Sequence, residues 1–205
     1  MRCFLKKYLL CFFLTVFLIA GCVSRQQYNR QTFVLDVKRD TQPAGRTFGI
    51  LEIPVFSVLS IYAGQGLVTR TSPVGYQTDF YNEFLVAPNQ MITDIVRVWF
   101  NESGMFSAVI TPDRNIRPDY ILYGTITQLY GDFSEPAYPK AVVEIQVNCM
   151  ALHSRQQSVV FSGTYSMDNQ IQKTSAQGLV DAYSMCISKI LIRLEDDIAQ
   201  ALSAD

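Results

Sequence analysis

From residue 32 onward, apolar positions recur with two spacings, and these predict several strands and two helices. Short apolar runs predict strands at Thr32–Val37, Phe48–Ser60, Leu67–Thr71, Phe106–Thr111 and Tyr120–Phe133. Pro54 interrupts the second of these; it lacks an N–H and belongs at an edge or a bulge. Ser72-Pro73-Val74-Gly75 reads as a turn. Val143, Ile145, Val147, Cys149 and Ala151 alternate with Glu144, Gln146 and Asn148, so this strand has one buried and one wetted face. Val159, Phe161, Gly163, Tyr165 and Met167 repeat the alternation. Pro88 suits the first position of a helix, where its missing N–H costs nothing. Ile92, Ile95, Val96, Trp99 and Ser103 share one face of that helix, and Gly104 ends it as a left-handed cap. Thr174 and Gln177 predict a capping box for a last helix of about 28 residues, or roughly 42 Å. Its stripe is Val180, Tyr183, Ile187, Ile190, Leu191, Leu194, Ile198 and Ala201. The expected fold class is α+β: a mainly antiparallel sheet with two α-helices packed on one face.

The first 31 residues follow another pattern. Arg2, Lys6 and Lys7 precede an apolar run, Tyr8–Ala20, and a polar stretch follows Cys22. A basic start, a short apolar run and small residues at its end are the parts of a secretory signal. The run is short for a membrane span, which needs about 20 apolar residues. Ile19-Ala20-Gly21-Cys22 resembles the bacterial lipobox, in which the Cys thiol takes a diacylglyceryl group and the chain is cut just before it. The expected organisation is a signal peptide at 1–21, a lipidated Cys22 with a short tether at 22–31, and one periplasmic domain at 32–205. Val23 rather than Asp after the Cys favours the outer membrane, by resemblance to enterobacterial sorting.

Charge narrows the field of partners. The 205 residues hold 17 basic and 18 acidic side chains, and removing the three basic residues at positions 2, 6 and 7 takes the net charge from −1 to −4. Such a body has no electrostatic reason to bind nucleic acid. After processing, only Cys149 and Cys186 remain as thiols, and the sequence leaves open a disulfide between them or two separate buried thiols. Motifs for catalysis, metal or cofactor binding are missing: no G-x-S-x-G, H-E-x-x-H, C-x-x-C or P-loop occurs, and His153 is a lone histidine at a strand end. Glu195-Asp196-Asp197 points three ways on a helix and reads as a solvated end.

The segment Tyr76–Leu85 has four aromatic residues in ten, just before a helix. Tyr76, Phe80, Tyr81 and Phe84 either line the core or form a partner or subunit interface, where such rings are favoured. Tyr130–Phe133 followed by Ser134–Lys140 reads as a second loop, rich in Pro and aromatics.

These segments, with Phe33-Val34-Leu35, Leu67–Arg70, Ala87-Pro88, Ser103–Phe106, Asp119–Gly124, Leu129–Phe133 and Lys140–Ile145, occur in an order that resembles the ABC-type transport auxiliary lipoprotein family. Tyr is the commoner residue where Phe33 stands. The resemblance implies a periplasmic domain tethered to the outer membrane, without catalytic residues or cofactor. It implies as partners an inner-membrane ABC permease and ATPase and a mammalian-cell-entry type substrate-binding protein, which together move phospholipid or other hydrophobic molecules between the membranes; a homo-oligomer is also open. A second reading is an outer-membrane lipoprotein that scaffolds or regulates cell-wall or lipopolysaccharide assembly. A third, a secreted enzyme, has little support from a single His.

Overall fold

A computed structural model describes residues 30–40, 47–112, 115–153 and 156–204. The expected signal peptide and Cys22 lie outside the described residues. The sheet comprises β1 (Gln31–Phe33), β2 (Phe48–Glu52), β3 (Ser57–Val58), β4 (Gly66–Arg70), β5 (Tyr76–Phe84), β6 (Phe106–Ile110), β7 (Tyr120–Asp132), β8 (Lys140–His153) and β9 (Gln156–Gln170). The helices are α1 (Pro88–Ser103) and α2 (Ala176–Ala204).

The long strands β7, β8 and β9 form an antiparallel meander. Along the other edge of β7 run three short strands in succession, all parallel to it. Leu51 of β2 stands opposite Tyr120, Ser57 of β3 opposite Thr125, and Thr69 of β4 opposite Gly131. β6 pairs in parallel with β2, β5 pairs antiparallel with β4, and β1 pairs in parallel with β5. The sheet is therefore mixed and curled, not mainly antiparallel. Alternation along a strand shows which face is buried but carries no information on the direction of its neighbour. Pro54 does break the long second run, separating β2 from β3. At Gly124 the ring of Phe56 lies where a Cβ would sit, 2.3 Å from the nearest ring carbon, so only glycine admits this packing.

Both helices bury their predicted stripes in one core shared with the sheet. Ile92, Val96 and Trp99 of α1 meet it, with Met91 and Phe100 beside them. Gly104 ends α1 at φ 64°, the left-handed conformation in which a Cβ is disfavoured. On α2, Tyr183, Ile187, Ile190, Leu191 and Ile198 have no exposed surface. The helix begins one residue later than the capping box implies. Ser175, not Thr174, caps it by accepting the Gly178 N–H at 3.1 Å, and Gln177 donates along the helix to Asp181 instead.

Of the two alternatives left open for the thiols the structure shows the second, and the parity expected of Val159 is corrected. Cys149 and Cys186 are buried and free. Cys186 Sγ donates to the Ala141 carbonyl at 3.9 Å. Ala141 and Cys149 are eight residues apart on β8, about 26 Å at the usual strand rise, far beyond disulfide reach. Burial without a charged partner pushes the Cys149 thiol up to about 12. Val159 does not continue the buried parity of Phe161 and Tyr165 but is 59% exposed. A bulge explains this: Cys149 pairs with Phe161 and Met150 with Val159, so Val160 is inserted and the alternation flips.

Candidate functional site

The aromatic segment forms β5, and its four rings separate into different environments. In an unbroken strand Phe80 and Phe84 would share a face, being four residues apart. Phe84 is 2% exposed and packs 6.2 Å from the ring of Tyr183, so it lines the core. Phe80 is 80% exposed and Tyr81 45%. The difference comes from a wide bulge. Val68 pairs with Thr78 and Gly66 with Glu83, leaving residues 79–82 opposite Leu67 alone.

Asp79 holds this bulge together. Its Oδ1 accepts the N–H groups of Tyr81 at 2.8 Å and Asn82 at 3.0 Å, and its Oδ2 accepts the Asn82 side-chain amide at 2.8 Å. Burial raises the pKa of this carboxyl, but the three hydrogen bonds outweigh it and hold it below the ordinary carboxylate value. The bulge thus fixes Phe80 outward at a defined place. β1 lies beside it: Gln31 pairs with Asn82, and Arg30 forms an ion pair with Glu83.

At the start of the same strand, Tyr76 joins a different cluster. Its ring meets Tyr130 edge-on at 5.6 Å, and Tyr62 stacks on Tyr130 at 6.3 Å. The Arg70 guanidinium lies 4.9 Å from the Tyr130 ring centre, a cation–π distance. Arg70 also donates to Asp132, from Nε at 3.3 Å and Nη2 at 2.5 Å. Ser134 adds two donations to Asp132 Oδ1, from its N–H at 3.1 Å and its hydroxyl at 2.6 Å. The Arg70 bond, helped by Ser134, holds the Asp132 carboxyl down at about 2 despite desolvation. Burial, with neighbouring Tyr76 and Tyr130, pushes the Tyr62 phenol up to about 12.

Arg70, Tyr130 and Asp132 border a polar cleft of about 460 Å³, which continues past Lys140, paired with Asp168 at 2.6 Å, to Arg193. Tyr130-Gly131-Asp132 is the end of β7, not a loop. The cleft can hold a polar group. The shifted phenols and thiols, among them Tyr62, Tyr130, Tyr183, Cys149 and Cys186, all move toward the neutral form, the opposite of what an activated nucleophile needs.

An apolar groove of about 290 Å³ separates the Val34–Arg39 segment from α1, with Val34, Val37, Ile95 and Val98 along its walls. Glu195 holds two of its lining residues, Arg39 and Trp99. It pairs with the buried Arg39 at 2.7 Å and accepts the Trp99 indole N–H at 2.7 Å. Asp197 accepts the Tyr165 hydroxyl at 2.5 Å. Two of the three acids expected to be solvated therefore tie α2 to other elements. No pattern within α2 signals this, because the partners lie 156, 96 and 32 residues away. His153 closes β8. Among the described residues, no group of three or more acidic, His or Cys side chains could hold a metal ion. No helix among them is long and apolar enough to cross a membrane.

A curled mixed sheet with a long C-terminal helix, carrying surface rings and clefts, defines a class of small α+β domains with known structures. A protein from Xanthomonas campestris assigned to the DUF330 family superposes with a TM-score of 0.74 at 21% identity, covering 85% of this chain and 98% of that one. An uncharacterized protein superposes at 0.61 with 16% identity, covering 83% and 99%. A hypothetical protein from Chlamydia trachomatis reaches 0.51 at 8% identity, covering 73% and 97%. No curated protein matches in sequence. The family model for the ABC-type transport auxiliary lipoprotein component matches residues 33–204, and the chain belongs to that family.

Proposed function

We propose that this protein is a lipid-anchored periplasmic auxiliary component of an ABC transport system that moves phospholipid or other hydrophobic molecules between the inner and outer membranes. Diacylated Cys22 holds it on the periplasmic face of the outer membrane. From there it docks a mammalian-cell-entry type substrate-binding protein served by an inner-membrane permease and ATPase. It acts by binding and positioning, not by catalysis. The observation that carries this reading is the family match over residues 33–204, which begins eleven residues after the lipobox cysteine.

The short tether supports the same role. Val23–Arg30 is eight residues long and spans at most about 26–29 Å, so the domain stays near its membrane and a partner must bridge the periplasm. The test is affinity isolation of the tagged full-length protein from detergent-solubilised envelopes, followed by mass spectrometry. Co-isolation of the permease, ATPase and mammalian-cell-entry protein is expected. Recovery with a cell-wall or lipopolysaccharide assembly machine instead would overturn the reading.

A further inference from the structure

We infer that the Asp79–Asn82 bulge rests on the anchoring bilayer itself, with Phe80 and Tyr81 seated among the lipid headgroups. The inference rests on the lipoprotein reading above and adds a second, non-covalent contact to it.

Three observations carry it. First, the bulge is built rather than loose: three hydrogen bonds to Asp79 fix a phenylalanine that is 80% exposed to water. The same bonds satisfy the Asp79 carboxylate within the bulge, and Glu83 is paired with Arg30. Aromatic rings with such surroundings suit the membrane–water interface, where Tyr keeps its hydroxyl among polar headgroups and Phe buries its ring at the headgroup–acyl boundary.

Second, the chain reaches the domain at this corner. β1 runs parallel to β5 with Gln31 opposite Asn82, so Arg30 arrives alongside Tyr81. Cys22 lies only eight residues before Arg30, a reach of at most about 26–29 Å. The bulge is thus the side of the domain that the tether draws toward the lipid.

Third, the tether itself favours an anionic surface. Val23–Arg30 has no acidic residue and, with Arg30 given to Glu83, presents Arg25 and Tyr28 beside the acyl anchor, against a body that is net acidic. Basic residues beside an acyl anchor are attracted to anionic headgroups, and one anchor with a second contact holds and orients a domain better than either alone.

The experiment uses the acylated protein carrying Phe80→Trp, reconstituted in phosphatidylethanolamine–phosphatidylglycerol vesicles with and without brominated acyl chains. Native Trp99 is buried and bonded to Glu195, and the unsubstituted protein supplies its contribution for subtraction. The emission added by the new indole should shift to the blue on vesicles and be roughly halved by brominated lipid, as for an interfacial ring. Protein that floats with the vesicles while this emission stays unquenched overturns the bilayer contact and leaves the anchor intact, whether the ring is bare or covered by a protein. Protein that fails to float overturns the anchor and the contact together.

Discussion

Phe80 and Phe84 are the same residue type on the same strand, four positions apart, yet one is 80% exposed and the other 2%. Composition and parity treat them alike. Asp79 separates them, because its carboxylate captures the Tyr81 and Asn82 N–H groups that a regular strand would direct to its neighbours. Downstream of the bulge, Phe84 returns to register beside Phe33 and packs on α2 through Tyr183. Upstream, Tyr76 belongs to the Arg70–Tyr130–Asp132 cluster. One strand therefore serves the core at one end, a charged cleft at the other, and an outward-facing ring between them.

The largest break in this comparison should come from Phe84→Ala. Removing a buried ring and leaving a cavity costs about 3–5 kcal/mol, read from the urea midpoint. Next is Asp132→Asn, which removes a buried carboxylate bonded to Arg70. Its pKa is depressed from 3.8 to about 2, so the ionised form is the one the fold stabilises. That contribution is present above the ordinary carboxylate range and is lost as pH falls from about 4 through about 2. The expected loss is roughly 1–2 kcal/mol at pH 7, discounted for the partial exposure of Arg70. The gap between wild type and Asp132→Asn should narrow as pH falls from about 4 and close only below about 2.

Asp79→Ala should cost about 1 kcal/mol by releasing the bulge. Faster hydrogen exchange at the Tyr81 and Asn82 amides would report the release directly, and exchange no faster than wild type would contradict the role given to Asp79. Phe80→Ser should leave stability within about 0.5 kcal/mol, because the ring packs on little within its own chain. A loss as large as that of Phe84→Ala would place Phe80 in the core.

The helices were legible because their signals are local. Pro88 at the start, Gly104 at the end and stripes of 3.6-residue period need no knowledge of distant partners. Most strands were legible for the same reason, but β5 was not predicted as one and the first strand ends at Phe33 rather than Val37. Strand direction was not legible: β2, β3 and β4 lie parallel to β7 through pairings 60 to 70 residues apart, which no alternation records. The bulges at Val160 and at Asp79–Asn82 were hidden likewise, since each is defined by what the neighbouring strand lacks. Glu195 shows the same limit in a helix, because its buried partners Arg39 and Trp99 lie far away in sequence. The candidate surface was half visible: the aromatic run stood out, but its division into core, cleft and exposed ring is a tertiary property.

Cys22 is the residue on which anchoring turns. Mass analysis of the N-terminal peptide of the membrane-purified protein tests it directly. A peptide beginning at Cys22 and carrying a diacylglyceryl group is the predicted result. A peptide that retains residues 1–21, or an unmodified Cys22 thiol, would contradict it.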